Sequence, residues 1–221
     1  DIAEEIARII GYDNIPVQPF KTPLKTSNDE GFKLLEENIK NFFFFFCFFE
    51  VINNPFIGNN SKHSIKVDNP LDSNKKYIRT NLEKSLIENL LYNEKRQQDS
   101  IKLFEISELY YLQDKKIQNT KMLGIICSGR VGKNYNDFSK PINNKYLKTI
   151  LKKAFPEIDF HPSTISRENL ESKLTNEIVY IEIELDDLKN NNFYLPNQRK
   201  EKLNKNNFIK YIPISQFPCS I

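Results

Sequence analysis

The chain holds 221 residues, enough for one large domain or one domain plus a fragment. Hydrophobic residues make up 39% and charged residues 28%, ordinary for a soluble globular protein, and a net charge of +3 is too slight a surplus to argue for nucleic-acid binding by itself. A membrane-spanning helix needs about 20 consecutive apolar residues; the phenylalanine-rich run that starts at Phe42 follows Lys40 and Asn41 and closes at Glu50, so a membrane anchor is excluded.

Residue 1 is an aspartate already inside a helical pattern, which reads as an internal piece of a longer protein. "DIAEEIARIIGYDNIP" predicts an amphipathic helix with Ile2, Ile6, Ile9 and Ile10 on its apolar side, stopped by Gly11 in a left-handed cap and left behind at Pro16. A polar, Pro-containing crossing segment follows, then a helix from about Asn28 with Phe32, Leu35 and Ile39 on one face. That helix runs into the phenylalanines, after which "FFEVINNPFI" has the aromatic and β-branched character of a strand.

Asn81 is placed to cap a helix carrying Leu82, Leu86, Ile87, Leu90 and Leu91 inward. "IKLFEISELYYL" and "KMLGIICSG" predict strong strands, the second ending at a glycine. "NNKYLKTILKKAF" is a basic-faced helix, "EIVYIEIEL" a strand with acidic residues on its outer side, and "FIKYIPIS" a last strand. Helices and strands mix without a βαβ rhythm, which predicts an α+β fold, an antiparallel sheet with flanking helices.

Candidate chemistry is sparse. Asp1, Glu4 and Glu5 lie at i, i+3 and i+4, on one helix face, and clustered carboxylates suit a hard cation such as magnesium. Acidic residues in a first turn also favour the helix dipole, so spacing alone leaves both readings open. "SGRVGKN" fails the phosphate-loop spacing, and Asn134 stands where a hydroxyl belongs. His63 and His161 sit in polar loops without triad or metal spacing. Cys47, Cys127 and Cys219 show no CxxC spacing, the usage of a reducing cytoplasm. The lysine-rich "NQRKEKLNKNN" reads as a solvated loop or a nucleic-acid contact.

In order, these segments resemble the beta subunit of bacterial-type phenylalanine–tRNA ligase. "DIAEEIARIIGYDNIP" looks like the end of its B5 domain, and "FFEVINNPFI", "VDNPLDSNKKYIRTNLEKSLIENLLYN", "IKLFEISELYY" and "YIPISQFP" resemble successive segments of its synthetase-like module. The resemblance implies the end of B5 at residues 1–18, a linker at 19–29, and a class II aminoacyl-tRNA synthetase-like, catalytically inactive core module (B6/B7) at 30–221. It implies a cytoplasmic, non-catalytic subunit of an alpha2beta2 heterotetramer with the alpha subunit, which forms the adenylate from ATP and charges tRNA(Phe). It implies a magnesium ion (Mg2+) at the contact between subunits, held by Asp1, Glu4 and Glu5.

The residues agree with an inactive module. The strand resembling the ATP-reading strand, "LFEISELYY", has no arginine to clamp phosphates, and Arg79 looks like a structural anchor. Cys47 stands where the family turns with a glycine, between a helix at Glu30 to Phe46 and a strand at Glu50 to Phe56. The phenylalanine run is then buried core. Two rival readings remain: a stand-alone metal-dependent hydrolase using Asp1, Glu4 and Glu5, and an RNA-binding module using the lysine-rich segment.

Overall fold

The sheet order is set by long cross-strand ladders at its centre and short pairings at its rims. The structure, a computed structural model, describes residues 2–16, 30–58, 63–70, 72, 74–113, 116–132, 135–168, 170, 172, 174–189 and 193. The chain divides into two units, Asp1–Glu30 and Gly31–Ile221.

In the first unit, α1 (Ile2–Ile10) ends where expected: Gly11 has φ 88° and donates its N–H to the Ala7 carbonyl at 3.0 Å. Ile2, Ile6, Ile9 and Ile10 are exposed rather than packed. The linker expected at residues 19–29 lies outside the described residues, as do "FIKYIPIS", "YIPISQFP" and the lysine-rich segment.

The second unit begins with α2 (Glu30–Phe45), whose Leu35, Ile39, Phe42 and Phe43 recur at helical spacing and are buried. The turn after it is a Schellman motif. Phe48 N donates to the Phe43 carbonyl and Cys47 N to the Phe44 carbonyl, both at 3.0 Å, with Cys47 left-handed at φ 60°. Phe48 then packs back on Phe43 with ring centroids 5.1 Å apart, and Phe43 stacks on Phe104 at the same distance. Burying each such ring contributes about 2–3 kcal/mol, so the phenylalanine run is core on its inner side and exposed at Phe44, Phe45 and Phe49.

Five strands form one sheet in the order β1-β4-β5-β7-β6: β1 (Phe49–Glu50), β4 (Ser100–Gln113), β5 (Lys116–Gly129), β7 (Ile178–Glu184) and β6 (Ser163–Ile165). Three of the four neighbouring pairs are antiparallel, and at the rim β1 runs parallel to β4. The strand expected over Glu50 to Phe56 is therefore a correction. Pro55 has no N–H, Asn53 spends its backbone N–H on the Glu105 carboxylate at 3.2 Å, and the Asn54 side chain bonds Phe56 N at 2.9 Å. Pairing resumes only in a small antiparallel pair, β2 (Phe56–Ile57) with β3 (Tyr77–Ile78).

Alternation along β4, β5 and β7 divides the core in two. One face, with Phe104, Ile125, Cys127, Val179 and Ile181, packs on α2, on α5 (Asn144–Ala154) and on α6 (Leu185–Lys189). The other, with Ile101, Leu103, Ile126 and Tyr180, packs on α3 (Glu83–Glu94) through Leu82, Leu86 and Leu90. Gly124 permits that approach: a Cβ there would stand 2.9 Å from the methyls of both Leu82 and Leu86. The Asn81 cap is a second correction. The capping position is Leu82, without a side-chain cap bond, and its N–H is taken by the Glu182 carboxylate at 3.3 Å. A carboxylate from a neighbouring strand does the cap's work and adds charge at the positive helix end.

Among the described residues, no helix is long and apolar enough to cross a membrane. The fold is α+β, a mainly antiparallel sheet with helices on both faces.

Candidate functional site

Of the expected metal ligands, Asp1 lies outside the described residues. Glu4 and Glu5 are exposed in the first turn of α1, and Glu5 pairs with Arg8 at 3.4 Å. Among the described residues, no group of three His, Cys, Asp or Glu side chains could hold a metal ion.

The β4–β5 hairpin, whose first strand resembles an ATP-reading strand, has the wrong electrostatics for a polyanion. Neither strand contains an arginine. Its described cations are Lys102, Lys116 and Lys121, and Lys121 is paired with Glu36. Lys102 is 6% exposed; its ammonium sits 5.5 Å from the Tyr146 ring centroid and 6.0 Å from that of Phe48. Burial pushes its pKa down, against the opposing pull of Cys127 and Asp137. The Cys127 thiol, its register partner on β5, is pushed up to about 12 by its own burial. Lys102 and Glu108 lie on the same side of β4 by alternation but differ in depth: Glu108 is exposed and accepts from the Tyr110 hydroxyl at 2.6 Å.

The arginines of the second unit's described residues are committed internally. Arg79, 2% exposed, donates to Glu105 at 2.5 and 3.2 Å and to Ser107 Oγ at 3.0 Å. Asn53 Nδ2 also donates to Glu105 at 2.8 Å, and Asn89 of α3 donates to Asn53 at 2.6 Å. Arg167 forks onto Glu94 at 2.7 and 3.1 Å and reaches Ser128 Oγ at 2.9 Å. Arg130 bonds the Phe138 carbonyl and covers that ring, and Arg96 stacks on Tyr92. The buried Arg79–Glu105 pair and the half-buried Arg167–Glu94 pair tie α3 or its flanks to the sheet. Arg79 is thus a structural anchor, as its sequence setting suggests.

Beside Glu105 the same sheet row holds Gly124 and Glu182. Burial is the main cause of Glu182's raised pKa, with hydrogen bonds from the Tyr180 hydroxyl and Leu82 N opposing it. Glu182 and Lys102 escaped sequence reasoning as functional groups of the fold. Alternation carried the signal, because Lys102 shares a face with Phe104, and Glu182 one with Tyr180.

An apolar surface also remains. Leu34, Phe44, Phe45, Phe49 and Ile52, from α2, β1 and the residues just after it, are 48% to 91% exposed. His63 is exposed, its carbonyl accepting from Leu112 N at 2.9 Å, and His161 is exposed 3.5 Å from Asp159. Gly129, at φ 93°, closes β5 in a turn, and the helix after "SGRVGKN" is only Tyr135–Phe138. Among the described residues neither histidine joins a triad, and Lys133 and Asn134 of that segment lie outside them.

Comparison with known proteins places this architecture. The chain is 27% identical over 186 residues to the phenylalanine–tRNA ligase beta subunit of Clostridium tetani, covering 76% of this chain and 22% of that protein. It is 24% identical over 166 residues to the same subunit of Legionella pneumophila, covering 72% and 21%. The chain thus spans about a fifth of the length of these relatives. A pyrrolysyl tRNA synthetase structure from Desulfitobacterium hafniense aligns with a TM-score of 0.46 at 15% identity, over 71% of this chain and 67% of that one. The family model for the phenylalanyl tRNA synthetase beta chain CLM domain matches residues 15–196, and the chain belongs to that family.

Proposed function

We propose that this chain is part of the non-catalytic beta subunit of a phenylalanine–tRNA ligase, which with an alpha subunit attaches phenylalanine to tRNA(Phe) using ATP. In this reading residues 30–221 are a class II synthetase-like module, residues 1–18 end a B5 domain, and the working assembly is a cytoplasmic alpha2beta2 heterotetramer. The observation that carries the non-catalytic half is the β4–β5 hairpin: it has no arginine, and its one central lysine is buried between two rings. Developing phosphate charge needs preorganised, accessible cations, and a guanidinium already bidentate to a buried carboxylate cannot supply them.

The exposed apolar surface on α2 and β1 supports docking on a partner. Glu4 and Glu5 offer adjacent carboxylates of the hard-oxygen type that magnesium takes, so this donor set fits the ion, with Asp1 as the third proposed ligand and Arg8 as the competing cation. Bound there, magnesium would neutralise carboxylates that otherwise repel one another. The direct test is co-expression with a tagged alpha subunit from a bacterial ligase: the chain should be retained on the affinity resin, and failure to co-purify overturns the reading.

A further inference from the structure

Helix α5 carries Lys145, Lys148, Lys152 and Lys153 and no acidic residue. Leu147, Ile150, Leu151 and Ala154 are buried, so its apolar side is spent on the core. Positions 145, 148 and 152 fall on one stripe spanning two turns, about 10 Å along the helix axis. Beyond the helix, Asp159 gathers cations. Lys148 Nζ lies 2.8 Å and Lys152 Nζ 3.7 Å from its Oδ1, and His161 Nε2 lies 3.5 Å from its Oδ2. Glu157 is the only other acid in this stretch, so residues 144–161, with four lysines and two acids, carry a net charge of +2.

We propose that this stripe is a docking surface for the phosphate backbone of RNA. The complementarity is electrostatic: cations at fixed intervals along a rigid helix meet a polyanion whose charges are also regularly spaced. Asp159 holds Lys148 and Lys152 in place while leaving the local charge positive. A membrane surface fits poorly, because an interfacial helix inserts its apolar side, and here that side is packed on the sheet. The choice of RNA over DNA rests on the proposed function; the cationic stripe itself does not.

The test is fluorescence anisotropy of a labelled tRNA transcript with the 221-residue chain, from about 50 to 200 mM salt. A duplex DNA of similar length and phosphatidylserine vesicles serve as competitors. The parent should bind with an affinity that falls as salt rises. Lys145→Gln, Lys148→Gln and Lys152→Gln combined should weaken binding at least tenfold at low salt and lower the log–log slope by about 2–3, roughly one phosphate contact per lysine. The corresponding triple arginine variant should bind as the parent does. Unchanged affinity and slope in the glutamine variant would overturn the proposal, as would failure of the parent to bind RNA or equal competition by DNA or vesicles. Circular dichroism melts confirm that the variants fold. Retention on the tagged alpha subunit should be unaffected, which separates this surface from the subunit assignment.

Discussion

Arg79 and Glu105 form a two-pronged ion pair beneath α3, with Nη2 2.5 Å from Oε1 and Nη1 3.2 Å from Oε2, in a layer where both side chains are almost fully buried. Each charge is tolerable only because the other is there. Arg79→Met should therefore cost about 3–5 kcal/mol, since it strands a buried carboxylate. Arg79→Met with Glu105→Met should cost clearly less than the sum of the single changes. Urea titrations of the three variants give the coupling; strict additivity would mean that the pair is not a unit.

Gly124 lies under the crossing of α3. Gly124→Ala should destabilise by about 1–3 kcal/mol, because its new methyl meets Leu82 and Leu86. Adding Leu82→Ala should recover part of the loss despite removing buried surface. If the double variant is simply worse by the sum, the close approach is not what keeps a glycine there.

Cys47 is left-handed at the C-terminal turn of α2. In reducing buffer, Cys47→Gly should raise stability by up to about 1 kcal/mol, or roughly 2–4 °C in Tm, as relief of Cβ strain outweighs the added freedom of the unfolded chain. A lower Tm would mean that the side chain contributes more than its conformation costs.

Much of this was legible in the residues, and the exceptions share a cause. Local periodicity announces α2, α5, β4, β5 and β7, and the family's glycine pattern marks the turn at Cys47, whose φ is 60°. The two-residue β1, its parallel pairing and the capping of α3 by Glu182 depend on partners about 50 to 100 residues away, which no local window contains. The same holds for the site: the missing arginine of the hairpin is visible in a string of letters, whereas the burial of Lys102 between Phe48 and Tyr146 needs the sheet assembled.

Glu182 links stability to pH. Its folded-state pKa is raised, so the native state holds its proton more tightly than the unfolded chain does. The resulting penalty is absent below the ordinary glutamate value of 4.5, grows as pH rises from there through the folded value, and is complete above it. Glu182→Gln keeps an oxygen for Leu82 N and should raise Tm near neutral pH, with the gain shrinking toward pH 4.5. A gain independent of pH would mean that Glu182 is not the titrating group.

Magnesium should bind the isolated chain weakly. Glu5 is already paired with Arg8, and Asp1, Glu4 and Glu5 together give few of the oxygens such an ion takes. Calorimetry should find no micromolar binding; finding it, and losing it in Glu4→Gln with Glu5→Gln, would favour the hydrolase reading.

The central claim is that this synthetase-like module frames the reaction without performing it. Phenylalanine-dependent pyrophosphate exchange, measured with the purified chain alone and with a full alpha subunit added, tests that claim most directly. The chain alone should show no exchange above a no-enzyme control, because the two strands of its hairpin hold no arginine and bury Lys102, while any exchange in the mixture should need the alpha subunit. Exchange by the chain alone would contradict the account.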